Sequence, residues 1–274
     1  MADCNNCPSK NNCNSKEVCT IKNNPNNHVK HIIGVMSGKG GVGKSTVSAL
    51  IAKELKNKGY KVGVMDADIT GPSIPRLFKV EQKRAFAEDN QIIPVETEDG
   101  IKVISLNLLI DDENMPAIWR GPIVSGIVQQ FWTDVIWGEL DYLIIDMPPG
   151  TGDVALTVMQ SIPITGLVIV SIPQDMVSMI VAKAVNMAKK LDIPVLGVVE
   201  NMSYVLCPDC GKKIEIFDGE NTSEFLKEYD LALLGELPMV KDIANIPKEG
   251  SENLSKQVKD TFEEIVNKLV ARTS

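Results

Sequence analysis

A doubly wound α/β domain, with a mostly parallel sheet covered by helices on both faces, is the fold this sequence predicts. Three observations carry that expectation. Short runs rich in β-branched residues are apolar almost without interruption, as strands buried on both faces must be. These runs alternate with stretches that place apolar residues at helical spacing. A glycine-rich loop separates the first run from the first helical stretch.

Taken in chain order, strands are expected over residues 31–37, 61–66, 102–108, 142–146, 167–172, 195–199 and 231–237. Helices are expected over 44–57, 123–137, 154–160 and 175–191. A last helix over 253–271 sets Leu254, Val258, Phe262, Val266 and Leu269 on one stripe. Its charges balance, so it reads as a core-packing helix and not as a basic membrane anchor. Residues 1–27 stand apart. They hold four of the six cysteines and four Asn-Asn pairs with few aliphatic residues, too little apolar surface to fold alone. The expected division is a Cys/Asn-rich extension over 1–27 and one α/β domain over 28–274.

Composition excludes several classes of function. Lys and Arg number 28 against 36 Asp and Glu, a net charge of −8, which argues against a sequence-independent grip on nucleic acid or anionic lipid. The most apolar stretch, 162–173, is too short to span a bilayer and is broken by Pro163 and Gly166. No basic end with an apolar run opens the chain, so a cytoplasmic protein is expected. In that compartment cysteines are metal ligands or reactive thiols more often than disulfides.

The run Gly38-Lys39-Gly40-Gly41-Val42-Gly43-Lys44-Ser45-Thr46 fits G-x-x-x-x-G-K-[ST]. Glycines let backbone N–H groups wrap phosphate oxygens, and the helix that follows adds the positive end of its dipole. ATP with Mg²⁺ is the expected ligand, Lys44 pairing with the β and γ phosphates and Ser45 reaching the metal. Lys39 is one lysine more than a phosphate cradle needs. Two aspartate motifs end strands: Asp66-Ala67-Asp68, and Asp146 followed by Met147-Pro148-Pro149-Gly150-Thr151-Gly152-Asp153. Open α/β sheets put ligands at strand ends, although each aspartate could also serve as a helix cap or turn residue. Asn201 closes the run 195–199 region, and its carboxamide offers the donor and acceptor that suit an adenine edge. A plain turn asparagine is the alternative.

Cys207-Pro208-Asp209-Cys210-Gly211 is a metal knuckle with two thiolates, whereas Zn²⁺ or an iron–sulfur cluster asks for four. The other pair must come from the tail or from a second subunit; zinc and a dithiol redox pair remain open on the knuckle alone. His31 opens a strand and His28 has no partner at metal spacing, so both read as bystanders.

The K-G-G-x-G-K-S-T loop resembles the deviant Walker A class, which includes partition and cell-division-site ATPases, the nitrogenase iron protein and the Mrp/ApbC iron–sulfur carriers. Trp119-Arg120-Gly121-Pro122, the 138–153 segment, Glu200-Asn201-Met202-Ser203 and the Cys207/Cys210 pair together resemble the Mrp/ApbC family over about residues 29 to 270. The resemblance implies a dimeric ATPase that holds a labile [4Fe–4S] cluster on the shared cysteines and passes it to apo-proteins. It implies Asp146 near Mg²⁺, Asp68 orienting the attacking water with Asp66 behind it, Asn201 on adenine, and Lys39 reaching the partner's nucleotide. A homodimer is implied, or a related second subunit. The tail resembles the cluster motif of the eukaryotic-type branch in Cys4, Cys7 and Cys13; that motif's far-upstream cysteine has no counterpart, and Cys19 lies downstream instead. A second cluster, zinc, or no metal are the readings left for these four thiols. A partition ATPase would call for a basic face and no cysteines, and an iron-protein-like reductase for single cluster cysteines per subunit.

Overall fold

The computed structural model describes residues 21–69, 71–88, 91–110, 121–176, 179–207, 209–215, 220–246 and 253–273. The strands are β1 (His28–Ser37), β2 (Val62–Asp66), β3 (Phe86–Glu88), β4 (Gln91–Ile93), β5 (Val95–Glu96), β6 (Lys102–Ile104), β7 (Glu139–Asp146), β8 (Gly166–Ser171), β9 (Val195–Leu206), β10 (Lys213–Glu215) and β11 (Leu233–Pro238). The helices are α1 (Lys44–Asn57), α2 (Ile74–Leu77), α3 (Gly121–Thr133), α4 (Asp153–Ser161), α5 (Pro173–Met176), α6 (Met179–Lys190), α7 (Glu220–Glu228), α8 (Lys241–Ala244) and α9 (Lys256–Thr273). Among the described residues one nine-stranded sheet runs β10-β9-β8-β1-β7-β2-β6-β5, with β11 also on β9. All its pairings are parallel except β5 on β6 and β10 on β9.

Why the strands read as unbroken apolar runs is visible in β7. Ile144 faces the layer of α1 and α9 with Val35, Val64 and Val168, while Leu143 and Ile145 face α3, α4 and α6 with Met36, Met65 and Ile169. Alternate side chains feed two separate cores, so every position must be apolar. The predicted fold class is the observed one.

Several boundaries differ, for local reasons. The strand expected over 102–108 stops at Ile104, and a 3-10 turn takes Leu106–Leu108. The helix expected to reach 137 ends at Thr133; Val135 and Trp137 are buried from a non-helical segment that bonds to Ile92. The helix expected over 175–191 is α5 and α6. The strand expected over 195–199 runs on to Leu206, so Asn201 lies inside β9 and not beyond its end. The hairpin β3–β4, the strands β5 and β10, and the helices α2, α7 and α8 were not foreseen.

Residues 21–27 are laid on the domain. The Ile21 N–H donates to the Ser161 carbonyl (2.8 Å), and the Trp132 indole donates to the Ile21 carbonyl (3.0 Å). Asn27, 7% exposed, donates from Nδ2 to the Val135 carbonyl (2.8 Å) and accepts the Gly138 N–H on Oδ1 (2.9 Å). One carboxamide thus satisfies both backbone groups of the turn entering β7. Asn27→Ala leaves them without it and should cost about 1–3 kcal/mol of stability, read from urea unfolding. Removing 1–27 should lower the midpoint at least as far as Asn27→Ala does.

Candidate functional site

Three adjacent strands, β1, β7 and β2, bring their C-terminal ends to one place, with Val35 and Asp66 on either side of Asp146 in register. The chain leaves β1 through residues 38–43 and turns back into α1. Gly41 and Gly43 make the turn at φ +84° and +82°, where side chains are strained. A Cβ on Gly43 would also overlap the Asn201 amide nitrogen. Gly43 caps α1 without any side-chain bond to its first turn, so the loop meets the positive end of a 14-residue helix. Gly38 and Gly43 are half-buried, Val42 is buried, and Lys39, Gly40 and Gly41 stand exposed at the crest; Ser45 and Thr46 are half-buried in the helix's first turn.

Lys44 extends from that turn into the sheet end. Its ammonium lies 2.8 Å from Asp146 Oδ2 and 3.8 Å from Asp68 Oδ2. The Ser45 hydroxyl donates to Asp146 Oδ2 (2.6 Å), and the Ser48 hydroxyl donates to Asp146 Oδ1 (2.7 Å). Asp146 has no solvent exposure, and Lys44 has 6%. Lys44, Ser45, Asp68 and Asp146 are therefore gathered within one group. Ser48 belongs to it and was missed. Its signal is the spacing, four residues after Lys44 and three after Ser45, which puts all three on one helix face. The hard oxygen donors of Ser45 and Asp146, close enough to share a proton, are a set that suits Mg²⁺ beside phosphate.

Asp66 is equally buried, and its hydrogen bonds go to other partners. Its Oδ1 accepts the Asp68 N–H (3.2 Å), and its Oδ2 accepts the Ile74 N–H (3.3 Å) and the Ser105 hydroxyl (3.1 Å). The side chain shapes the turn that carries Asp68. Burial, and after it the neighbouring Asp146 charge, push its carboxyl up to about 8.

Asn201 is 2% exposed, and its Nδ2 donates to the Val42 carbonyl (2.9 Å). The expected adenine-facing donor is thus engaged by the loop backbone, because β9 continues past residue 199 and carries the side chain under the loop.

The cysteine pair tops the β9–β10 hairpin. Cys207 N–H donates to the Lys212 carbonyl (3.0 Å), and the Gly211 N–H, at φ +69°, donates back to the Cys207 carbonyl (2.9 Å). Cys207 is half-buried and Cys210 exposed. The Cys210 N–H, and then the Asp209 N–H, aim at the Cys207 sulfur and hold its thiol below the usual range, which favours the ligating thiolate. Among the described residues no group of three His, Cys, Asp or Glu side chains forms a metal site, so the pair has two ligands and no more within the described chain. His31 stacks on Tyr142 at 5.0 Å, and His28 lies 3.9 Å from Glu139 at the surface. Cys4, Cys7, Cys13 and Cys19, with Trp119 and Arg120, lie outside the described residues.

A glycine cradle at the head of a helix, backed by a buried lysine–aspartate pair at the switch of a parallel sheet, defines a P-loop NTPase. Sequence comparison narrows the class. The chain belongs to the ParA-type family described as NUBPL iron-transfer P-loop NTPases, whose model matches residues 28–273. It is 55% identical over 230 residues to an iron-sulfur cluster carrier protein of Clostridium perfringens, covering 81% of each chain. It is 44% identical over 282 residues to one of Methanocaldococcus jannaschii, covering 98% of this chain and 96% of that one. Among solved structures, an Archaeoglobus fulgidus nucleotide-binding protein in complex with ADP superposes with a TM-score of 0.72 at 43% identity, over 81% of this chain and 87% of that one. The cell division ATPase MinD of Pyrococcus furiosus, at 19% identity and TM-score 0.62 over 88% of this chain and 99% of that one, shares the fold. No helix among the described residues is long and apolar enough to cross a membrane.

The Asp66 carboxyl carries a pH dependence. Its folded value of about 8 lies above the unfolded value near 4, so between these pH values the folded state holds a proton that the unfolded chain has released. Stability from this group therefore falls as pH rises from about 4 to about 8 and is level above. Without added nucleotide, the thermal midpoint of the wild type should fall between pH 5 and pH 8 more steeply than that of Asp66→Asn. Parallel profiles would show that Asp66 does not titrate in this window.

Proposed function

We propose that this chain is an ATP-hydrolysing carrier that binds a [4Fe–4S] cluster and hands it to apo-proteins. The observation that carries the reading is an incomplete two-thiolate knuckle at the end of the same strand, β9, whose Asn201 touches the phosphate loop. Two thiolates on one subunit become four when two subunits meet, so cluster binding and dimerisation are one event. The relatives named as cluster carriers support that choice over zinc. Cluster and client are the cargo and its recipient; the subunits form a homodimer or pair with a related chain, in the cytoplasm, without nucleic acid or membrane as partner.

In this reading the 38–46 loop cradles ATP. Lys44, which pairs with Asp146 and Asp68, exchanges Asp146 for the β and γ phosphates. Ser45 and Asp146 would hold Mg²⁺, which would neutralise developing phosphate charge. Asp68 accepts a proton from the attacking water, and Lys39, at the loop crest, reaches the partner's nucleotide. Asn201 supports the loop through Val42, and the remaining acceptor of its carboxamide serves the adenine end. The 1–27 extension, whose residues 21–27 pack on the 28–274 domain, carries Cys4, Cys7, Cys13 and Cys19 as a metal-binding set suited to a second cluster.

Two expected outcomes test the reading. Asp68→Asn should bind ATP as the wild type does yet turn over slower by about 10²–10⁴-fold, the span of a lost proton acceptor; the measurement is phosphate release beside nucleotide affinity. If Asp66→Asn alone gave that pattern, the water-orienting role would pass to Asp66. After anaerobic reconstitution with iron and sulfide, Cys207→Ser should hold less than the wild type by about one cluster per dimer. The cluster present in the wild type should restore an apo-enzyme that needs a [4Fe–4S] centre. Zinc on the Cys207/Cys210 pair, or a cluster that stays put beside an acceptor, would overturn the carrier function.

A further inference from the structure

Asp146 is held by three groups of α1, and they differ in what nucleotide does to them. Lys44 and Ser45 point at Oδ2 from the first turn of the helix, at the loop. On the proposed nucleotide reading, on which this inference rests, both are drawn toward phosphate and Mg²⁺. Ser48 is different. It has no solvent exposure, lies a turn deeper in α1, and donates to Oδ1 at 2.7 Å, with its oxygen also 3.0 Å from the Lys44 carbonyl.

We infer that Ser48 is a positioning residue, whose hydroxyl pins Oδ1 of Asp146 so that Oδ2 is the oxygen presented to the metal. A carboxylate on a single χ2 axis can turn either oxygen outward. The bond from Ser48 removes that freedom, and it persists when Lys44 and Ser45 change partners. A buried carboxylate with one oxygen fixed by a charge-assisted hydrogen bond is preorganised for a hard cation, as partners behind metal ligands generally are. Alanine at 48 preserves helix propensity and removes only this donor.

The test uses the full chain as wild type, Ser48→Ala and Ser48→Thr. Affinity for a fluorescent ATP analogue is measured in EDTA, and Mn²⁺ binding to the nucleotide-loaded protein is measured by electron paramagnetic resonance of the free ion. Ser48→Ala should keep the EDTA affinity and weaken Mn²⁺ binding by about 10–100-fold. Ser48→Thr, which retains the hydroxyl, should hold Mn²⁺ more tightly than Ser48→Ala. If Ser48→Ala does not fold, Ser48→Cys, a weak donor of similar size, replaces it in the same comparison. Unchanged Mn²⁺ affinity without the hydroxyl overturns the inference. So does a parallel loss of affinity in EDTA, which would mark Ser48 as a packing residue of the loop. A wild type that shows no nucleotide-dependent Mn²⁺ site would instead sink the nucleotide reading, and the inference with it.

Discussion

Asp146 is a carboxylate without access to water, in the strand with β1 on one side and β2 on the other, and such a charge is tolerated only where donors surround it. The nearest cation must come from outside the sheet, because near Asp146 the strands are apolar: Ile32 to Met36 in β1, Leu143 to Ile145 in β7 and Val62 to Met65 in β2. It comes from Lys44, and bringing Lys44 there requires the chain to reverse within a few residues of leaving β1. Gly41 and Gly43 supply that reversal at positive φ. The same charge constrains its neighbour. Asp66 sits opposite Asp146 in register, and one buried ammonium does not compensate two carboxylates at this distance. Its proton is retained to about pH 8, and its oxygens serve the backbone of the turn carrying Asp68 instead. Loop, helix start and switch turn are consequences of one desolvated charge.

The parts of this arrangement legible in the sequence are those with a local chemical necessity. A glycine loop between a strand and a helix has few other uses, and an aspartate after four apolar residues marks a strand end at a ligand-binding edge. What could not be read depends on partners distant in sequence. Ser48 looks like an ordinary helix-interior polar residue until Asp146, 98 residues away, is placed against it. Asn201, Ser203 and Glu200 look like the polar end of a strand. In the fold they remain in β9 because each has a buried partner: Val42 for Asn201, and for Glu200 the hydroxyls of Ser203 (2.6 Å) and Thr222 (3.0 Å). The α3 boundary failed in the opposite direction. Val135 and Trp137 continue the apolar spacing of the helix, yet Asn27 and Ile92 hold that segment by its backbone in a non-helical turn.

β9 is the element that gives the carrier reading its physical form. It lies between β8 and the strands β10 and β11, passes under the phosphate loop at Asn201 and ends at Leu206; Cys207 follows, about 20 Å from Asn201 if fully extended. Between these points it is irregular. Met202 takes φ +54°, a conformation that costs of order 1–3 kcal/mol in a residue with a side chain, and the pairing with β11 slips between Glu236 and Pro238. The Glu200–Ser203 and Glu200–Thr222 bonds bracket the irregularity and hold it in place. A regular strand could not do what this one does. It turns Asn201 inward to the loop and still carries the knuckle to the β9–β10 hairpin at the edge of the sheet, where on the proposed reading the thiols of a second subunit meet it. The bulge reconciles those two demands. On the carrier reading, the separation also keeps cluster and phosphate chemistry apart, because thiolates are soft ligands and the Ser45 and Asp146 oxygens are hard, so donor type sorts one metal from the other.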